Sequence, residues 1–166
     1  MNIETLVEGF AVQISEINVK KPISVESFAV LHEIIDQHAV AVFRHQHIED
    51  AQLVEFAGRF GALETPLPFD QYGGVNKKIT MLANVDGKGN FLSSEDKHSI
   101  YMKGNLLWHS DSSYKSIPAK YSILSAIEVP SSGGETEFAD ARAYYDDWTG
   151  PFRNIVKEDL ENLICE

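Results

Sequence analysis

The sequence predicts an α+β chain with a mainly β core. Three observations carry this. Short β-rich apolar runs such as Ala39 to Phe43 recur, two amphipathic helical stripes fill the first sixty positions, and strand-like segments broken by Gly and Pro dominate from Leu106 to Ala139. At 166 residues the chain suffices for one domain with a real core and is short for two. Its hydrophobic and charged fractions, 43% and 23%, are those of ordinary globular domains.

In chain order, Phe10 to Ile14 alternates weakly and reads as a short opening strand. Ser24 is a helix N-cap ahead of Val25, Phe28, Leu31, Ile34 and Ile35, which recur at helical spacing. Ala39 to Phe43 is a continuous apolar run and reads as a buried strand. A second helix starts around Asp50, carries Leu53, Val54, Phe56, Ala57 and Phe60, and stops at Gly61. From Thr65 to Gly104 Pro and Gly punctuate the text, with one strand expected at Lys78 to Ala83; a stretch so long and broken reads as a lid or substrate loop. Leu106 to Val129 reads as two strands around a connection bearing Ser and Pro, Ser131 to Gly134 as a turn, and Glu135 to Ala139 as a strand. Asp140 caps a helix over Ala141 to Trp148, and Gly150-Pro151 separates it from a last helix with Phe152, Ile155, Val156, Leu160, Leu163 and Ile164 on one face. That apolar face runs to Glu166 without a cap, so the expectation is that something it packs on is missing.

Charge and cysteine usage exclude several functions. A net charge of −11 speaks against nucleic acid as a partner, because that affinity rests on Lys and Arg displacing counterions. It does not exclude a small anionic substrate, which needs only one or two local cations. Lys77, Lys78 and Lys88 sit in the loop where such a substrate would be met, although surface lysines more often only solvate. The single cysteine, Cys165, allows no internal disulfide. No stretch reaches the ~20 apolar residues a membrane span needs, and the N-terminus, with Glu4 and Glu8, lacks the features of a secretory signal. No membrane association and a cytoplasmic location are the expectations.

The chemistry centres on Leu106 to Asp111. On a strand, residues two apart face the same way, so His109 and Asp111 would present an imidazole and a carboxylate side by side. Two histidines and one carboxylate, leaving open positions, suit non-haem iron(II). A His-x-Asp triplet alone is a weak signal, and Asp-Ser-Ser is common turn chemistry. The wider text is more specific. Leu107-Trp108-His109-Ser110-Asp111-Ser112-Ser113-Tyr114, then Pro118, then Tyr121 to Ala126, then Val129 to Asp140 through Gly133-Gly134-Glu135-Thr136-Glu137-Phe138, together resemble the taurine dioxygenase and 2,4-dichlorophenoxyacetate dioxygenase family. The likeness is closer to the second branch, through Trp108 to Ser113 and through Arg142, Ala143 and Tyr145, and Val40 to Arg44 and Arg59 to Gly61 resemble the family's opening elements.

The resemblance implies a partial double-stranded β-helix, a jelly-roll or cupin-like fold with flanking helices, in which residues 1–166 form the N-terminal part of one dioxygenase domain. It implies Fe(2+) as cofactor and 2-oxoglutarate as cosubstrate, with O2 and a small organic, anionic substrate that is hydroxylated while succinate and CO2 are released. His109 and Asp111 match the first histidine and the carboxylate of the iron triad, and that carboxylate favours hydroxylation over halogenation. Thr136 matches the threonine that hydrogen-bonds 2-oxoglutarate, and Asn105 an asparagine beside the substrate, although a turn asparagine is an equal reading for it. The family's second histidine ligand and the arginine that pairs with 2-oxoglutarate lie downstream of residue 166. His45, His47 and His98 match neither and read as solvated loop histidines. Trp108 reads as core, and Arg142 as the structural partner of a neighbouring carboxylate. The rival readings are a non-catalytic remnant acting as a binding module, and a cupin-like metal protein of other chemistry. An open sheet edge would be a template for homo-oligomers.

Overall fold

A two-stranded hairpin opens the chain in the computed structural model, which describes residues 1–65, 78–86 and 88–143. Strand β1 (Asn2–Val7) runs antiparallel to β2 (Ala11–Ser15), in the register Ile3 to Ile14 and Glu4 to Gln13, with an irregularity between Thr5 and Val7. Gly9 takes the left-handed conformation, φ 66°, in the three-residue connection, where a glycine carries no steric penalty. The opening strand expected at Phe10 to Ile14 is therefore β2, shifted by one residue, and β1 is an addition. All six residues of β1 are exposed, so no burial pattern announced it, and its pairing to β2 holds it.

Helix α1 (Val25–His38) follows, and β3 (Val40–Val42) returns parallel to β2 with Val12 opposite Ala41. Two parallel strands need a crossover, and α1 supplies it. Ser24 caps α1 as expected, its hydroxyl accepting the Ser27 N–H at 3.2 Å. The helix buries Leu31 and Ile34, while Val25, which the apolar stripe includes, is 77% exposed. With Ala11, Val12 and Ile14 they form the core of the first of two compact units, comprising residues 1–17, 24–45 and 126–166. β3 is shorter than the expected Ala39 to Phe43 strand and only half-buried, because among the described residues it is the edge of the sheet and is paired on one side.

The second unit comprises residues 18–23 and 46–125. Its α2 (Asp50–Gly58) starts where expected, and the Glu49 N–H donates to the Gln52 side chain at 3.1 Å across the first turn. Phe56 is buried, and its ring meets Phe60 edge-on at 5.4 Å. Arg59 donates to the Ile23 carbonyl at 2.6 Å and fixes the 18–23 segment beside this helix. Between Lys78 and Gly104 the expected strand at Lys78 to Ala83 does not form, and Val85 and Phe91 make a lone bridge. A short helix, α3 (Lys97–Met102), and a 3-10 turn (Lys103–Leu106) stand where only loop was expected.

Two further expectations are corrected. Among the described residues Leu106 to Val129 and Glu135 to Ala139 form no strand. A strand is stabilised by a ladder on a neighbour distant in sequence, and the apolar alternation of these segments reports only a local preference. The helix capped by Asp140 begins at residue 141, but its continuation and the last helix, Phe152 to Ile164, lie outside the described residues, as does Lys77. Among the described residues no helix is long and apolar enough to cross a membrane.

Candidate metal centre

The chain leaves the 3-10 turn at Leu107 in extended backbone, φ −97° and ψ 145°, and then turns over at 111–114. His109 and Asp111 thus stand on an irregular segment instead of a strand. They meet nonetheless: His109 Nε2 lies 3.3 Å from Asp111 Oδ1. The His109 ring also contacts the Leu107 carbonyl through Nδ1 at 2.7 Å. A carbonyl oxygen only accepts, so this contact assigns a proton to Nδ1 and leaves Nε2 as the atom directed at the carboxylate. Two acceptors facing each other at that distance repel unless a proton or a cation lies between them. Two ligands at right angles, each ~2.1 Å from one ion, stand ~3 Å apart, so a divalent metal fits this pair. Both side chains are about half exposed, open to a ligand from solvent.

The carboxylate's other oxygen is held as well. Ser122 donates its hydroxyl to Asp111 Oδ2 at 2.6 Å, in the short range of a charge-assisted bond. The turn is fastened on its far side by Glu64, whose carboxylate accepts the Ser112 hydroxyl at 2.6 Å and pairs with Lys115 at 2.5 Å. The Lys115 ammonium first, and then Ser112, hold the Glu64 carboxyl below its ordinary value. Phe60 packs edge-on against Tyr121 at 5.3 Å, next in sequence to Ser122. None of these supports was read from the sequence. Their separations from the turn, 11 and 48 positions, leave no periodic trace.

Among the described residues no group of three or more His, Cys, Asp or Glu side chains gathers to hold a metal. Asn105 sits in the 3-10 turn with its amide 3.7 Å from Met102 Sδ. Thr136 belongs to the first compact unit, exposed, after a bend in which Gly133 and Gly134 both take positive φ, 74° and 75°. A Cβ on Gly134 would come within 3.1 Å of Pro130, so the predicted turn there requires its glycine. Trp108 is 69% exposed, which corrects its assignment to the core; without a strand at this place no sheet face covers it. His98 is the reverse correction, buried in α3 at 6% exposure, because the helix turns it inward. His45 and His47 are exposed, as expected. Arg142 behaves as expected too. It grips Asp140 with two contacts of 3.0 Å and donates to the Gln37 and Gly9 carbonyls at 3.3 Å, and this pairing holds Asp140 below and Arg142 above their ordinary values.

Beside this segment Leu82, Asn84, Ser99, Met102, Lys103 and Leu106 line a cleft of about 470 Å³. Among the described residues its wall is mostly apolar with one cation, Lys103, whose ammonium donates to the Ser94 carbonyl at 3.4 Å.

Comparison with known proteins gives one consistent result. Residues 2–161 match the model of the family described as taurine catabolism dioxygenase TauD, TfdA. An alpha-ketoglutarate-dependent 2,4-dichlorophenoxyacetate dioxygenase of Burkholderia sp. (strain RASC) is 34% identical over 177 aligned positions, covering 100% of this chain and 56% of that protein. An (S)-phenoxypropionate/alpha-ketoglutarate-dioxygenase of Delftia acidovorans is 38% identical over 135, covering 79% and 44%. The crystal structure of AAD-2 in complex with Mn(II) and N-oxalylglycine superposes with a TM-score of 0.84 at 34% identity, over 95% of this chain and 54% of that one. The chain thus spans about half the length of the curated relatives it matches.

Proposed function

The chain belongs to the taurine catabolism dioxygenase TauD, TfdA family, and from that premise we propose that it carries two ligands of an iron(II) centre, His109 and Asp111, in a 2-oxoglutarate-dependent dioxygenase. The observation that carries the reading is the 3.3 Å approach of Nε2 to Oδ1, with the remaining polar atoms of both side chains tied to Leu107 and Ser122. Each ligand is oriented before a metal arrives, which is how partners beyond the ligands set metal affinity. In the same proposal residues 1–166 are the N-terminal part of a single dioxygenase domain framed as a double-stranded β-helix, with residues 65–104 as its lid or substrate loop.

His109 and Asp111 would hold iron(II), which when bound would supply the oxidative chemistry: hydroxylation of the substrate by O2, coupled to decarboxylation of 2-oxoglutarate to succinate and CO2. The protein's own tasks are more modest. His109 offers Nε2 because Leu107 holds the proton on Nδ1. Asp111 offers one oxygen and its negative charge. Thr136 donates its hydroxyl to the distal carboxylate of 2-oxoglutarate, and Asn105 lies beside the substrate. The relatives are named for aryloxy acids, and an apolar cleft that carries an ammonium suits that class: the ring would lie against Leu82, Met102 and Leu106, with the carboxylate toward Lys103.

Mn(II) affinity of the purified chain, read by the loss of the free-ion electron paramagnetic resonance signal, tests the ligand pair. Asp111→Ala and His109→Ala are each expected to weaken binding by at least about tenfold with the far-ultraviolet circular dichroism kept, since both groups are half exposed and add little to packing. Unchanged affinity in either variant refutes the assignment.

A further inference from the structure

Asp111 has two oxygens, and the protein treats them differently. Oδ1 faces His109 Nε2 at 3.3 Å, while Oδ2 receives the Ser122 hydroxyl at 2.6 Å. A serine hydroxyl has a single proton to give, and here it goes to the oxygen turned away from the histidine. The bond draws Oδ2 toward Ser122 and occupies one of its lone pairs, so turning both oxygens to one metal works against it. We propose that Ser122 is a positioning residue for the metal centre: its hydroxyl holds the Asp111 carboxylate with Oδ1 toward His109 and favours ligation through that one oxygen. The inference rests on His109 and Asp111 being the ligand pair.

The surroundings support a role beyond holding the chain in shape. The turn has a second fastening, through Glu64 to Ser112 and Lys115, so Ser122 is not its sole tether. The backbone that carries Ser122 is positioned separately, by the Tyr121 ring against Phe60. What Ser122 alone contributes is the rotation of the carboxylate about its terminal bond. That torsion is broad and otherwise weakly determined, and Asp111 is more than half exposed, so little else restrains it.

The test uses Mn(II) alone as the probe on the full chain, with wild type, Ser122→Ala, Ser122→Thr and Asp111→Ala compared. Ser122→Ala is expected to weaken Mn(II) binding about tenfold, at the low end for an outer-shell partner because the site is open to water. Ser122→Thr retains the hydroxyl and is expected to restore affinity to within about threefold of wild type on the same reasoning. The infrared carboxylate bands of the Mn(II)-loaded chain provide a readout that a merely structural role would not move. The separation between the asymmetric and symmetric stretches of the bound aspartate is wide for one-oxygen ligation, and is expected to narrow in Ser122→Ala as the second oxygen swings to the metal. Equal affinity and equal band separation in wild type and Ser122→Ala, with Asp111→Ala still weakened, overturn the role of Ser122 and leave the ligand pair standing. Equal losses in Ser122→Ala and Ser122→Thr overturn it as well, because bulk and not the hydroxyl would then be at work. Binding indifferent to Asp111→Ala overturns both proposals.

Discussion

The contact between Phe60, just beyond helix α2, and Tyr121, next in sequence to Ser122, has a strength that can be worked from its geometry. The ring centroids are 5.3 Å apart with the planes at 65°, and Phe60 makes a second edge-on contact with Phe56 at 5.4 Å and 84°. Both arrangements direct a positive ring edge at a negative face, and each such pair contributes about 1 kcal/mol beyond the area it buries. Phe60 is only half-buried, so the loss of packing on truncation is a fraction of the ~3–5 kcal/mol for a fully buried ring. Phe60→Ala is therefore expected to cost about 2–3 kcal/mol. The double-mutant cycle in urea unfolding isolates the pair itself, with an expected coupling of about 1 kcal/mol at an unchanged m-value. A coupling below about 0.3 kcal/mol, the level at which independent sites add, refutes the reasoning. Mn(II) affinity of Phe60→Ala then checks the link to the site: it falls if Tyr121 holds Ser122 in place and is unchanged if it does not.

Further expectations follow from the same interactions. Glu64 has its carboxyl held below the ordinary 4.5 by Lys115 and Ser112, so its contribution is full above that value and disappears as pH falls through the lowered one. The unfolding midpoints of wild type and Glu64→Gln should accordingly differ at neutral pH and converge in acid; a difference that persists or grows in acid contradicts the tether. Ser24→Ala removes the cap of α1 and is expected to cost about 1 kcal/mol in thermal or urea unfolding, with Ser24→Asp close to neutral. In a protein joining this segment to a second histidine ligand and the 2-oxoglutarate arginine, Thr136→Val should raise the 2-oxoglutarate concentration for half-maximal decarboxylation with metal affinity retained. Parallel loss of metal affinity would mean that Thr136 supports the metal and not the cosubstrate.

Several features were legible in the sequence because their causes are local. The cap at Ser24 and its helix, the start of α2 near Asp50, and the double glycine ahead of Thr136 each follow from what a few adjacent residues permit. Arg142 was assigned to a neighbouring carboxylate, and Asp140 lies two positions before it. The meeting of His109 with Asp111 was legible for the same reason, since the two are close enough in sequence to meet whether the backbone is a strand or a turn. The periodic argument predicted a strand there and was wrong about the backbone, and yet the two groups face each other. The wider word pattern from Leu107 to Asp140 identified the family, which no single element does.

Tertiary structure decided everything that needs a distant partner. Strand β1 exists because β2 offers it a ladder, whereas the alternating segments after Leu106 have strand-like sequence without forming one among the described residues. Trp108 is exposed and His98 buried, the opposite of what residue type suggests, because burial depends on what folds over a side chain and not on the side chain alone. Glu64 and Ser122 reach the turn at 111–114 from 48 and 11 positions away. Sequence spacing encodes periodicity and capping, which act within a turn or two of chain. It does not encode which remote hydroxyl will take up the second oxygen of Asp111, because that contact is set by loop closure and packing summed over the whole unit.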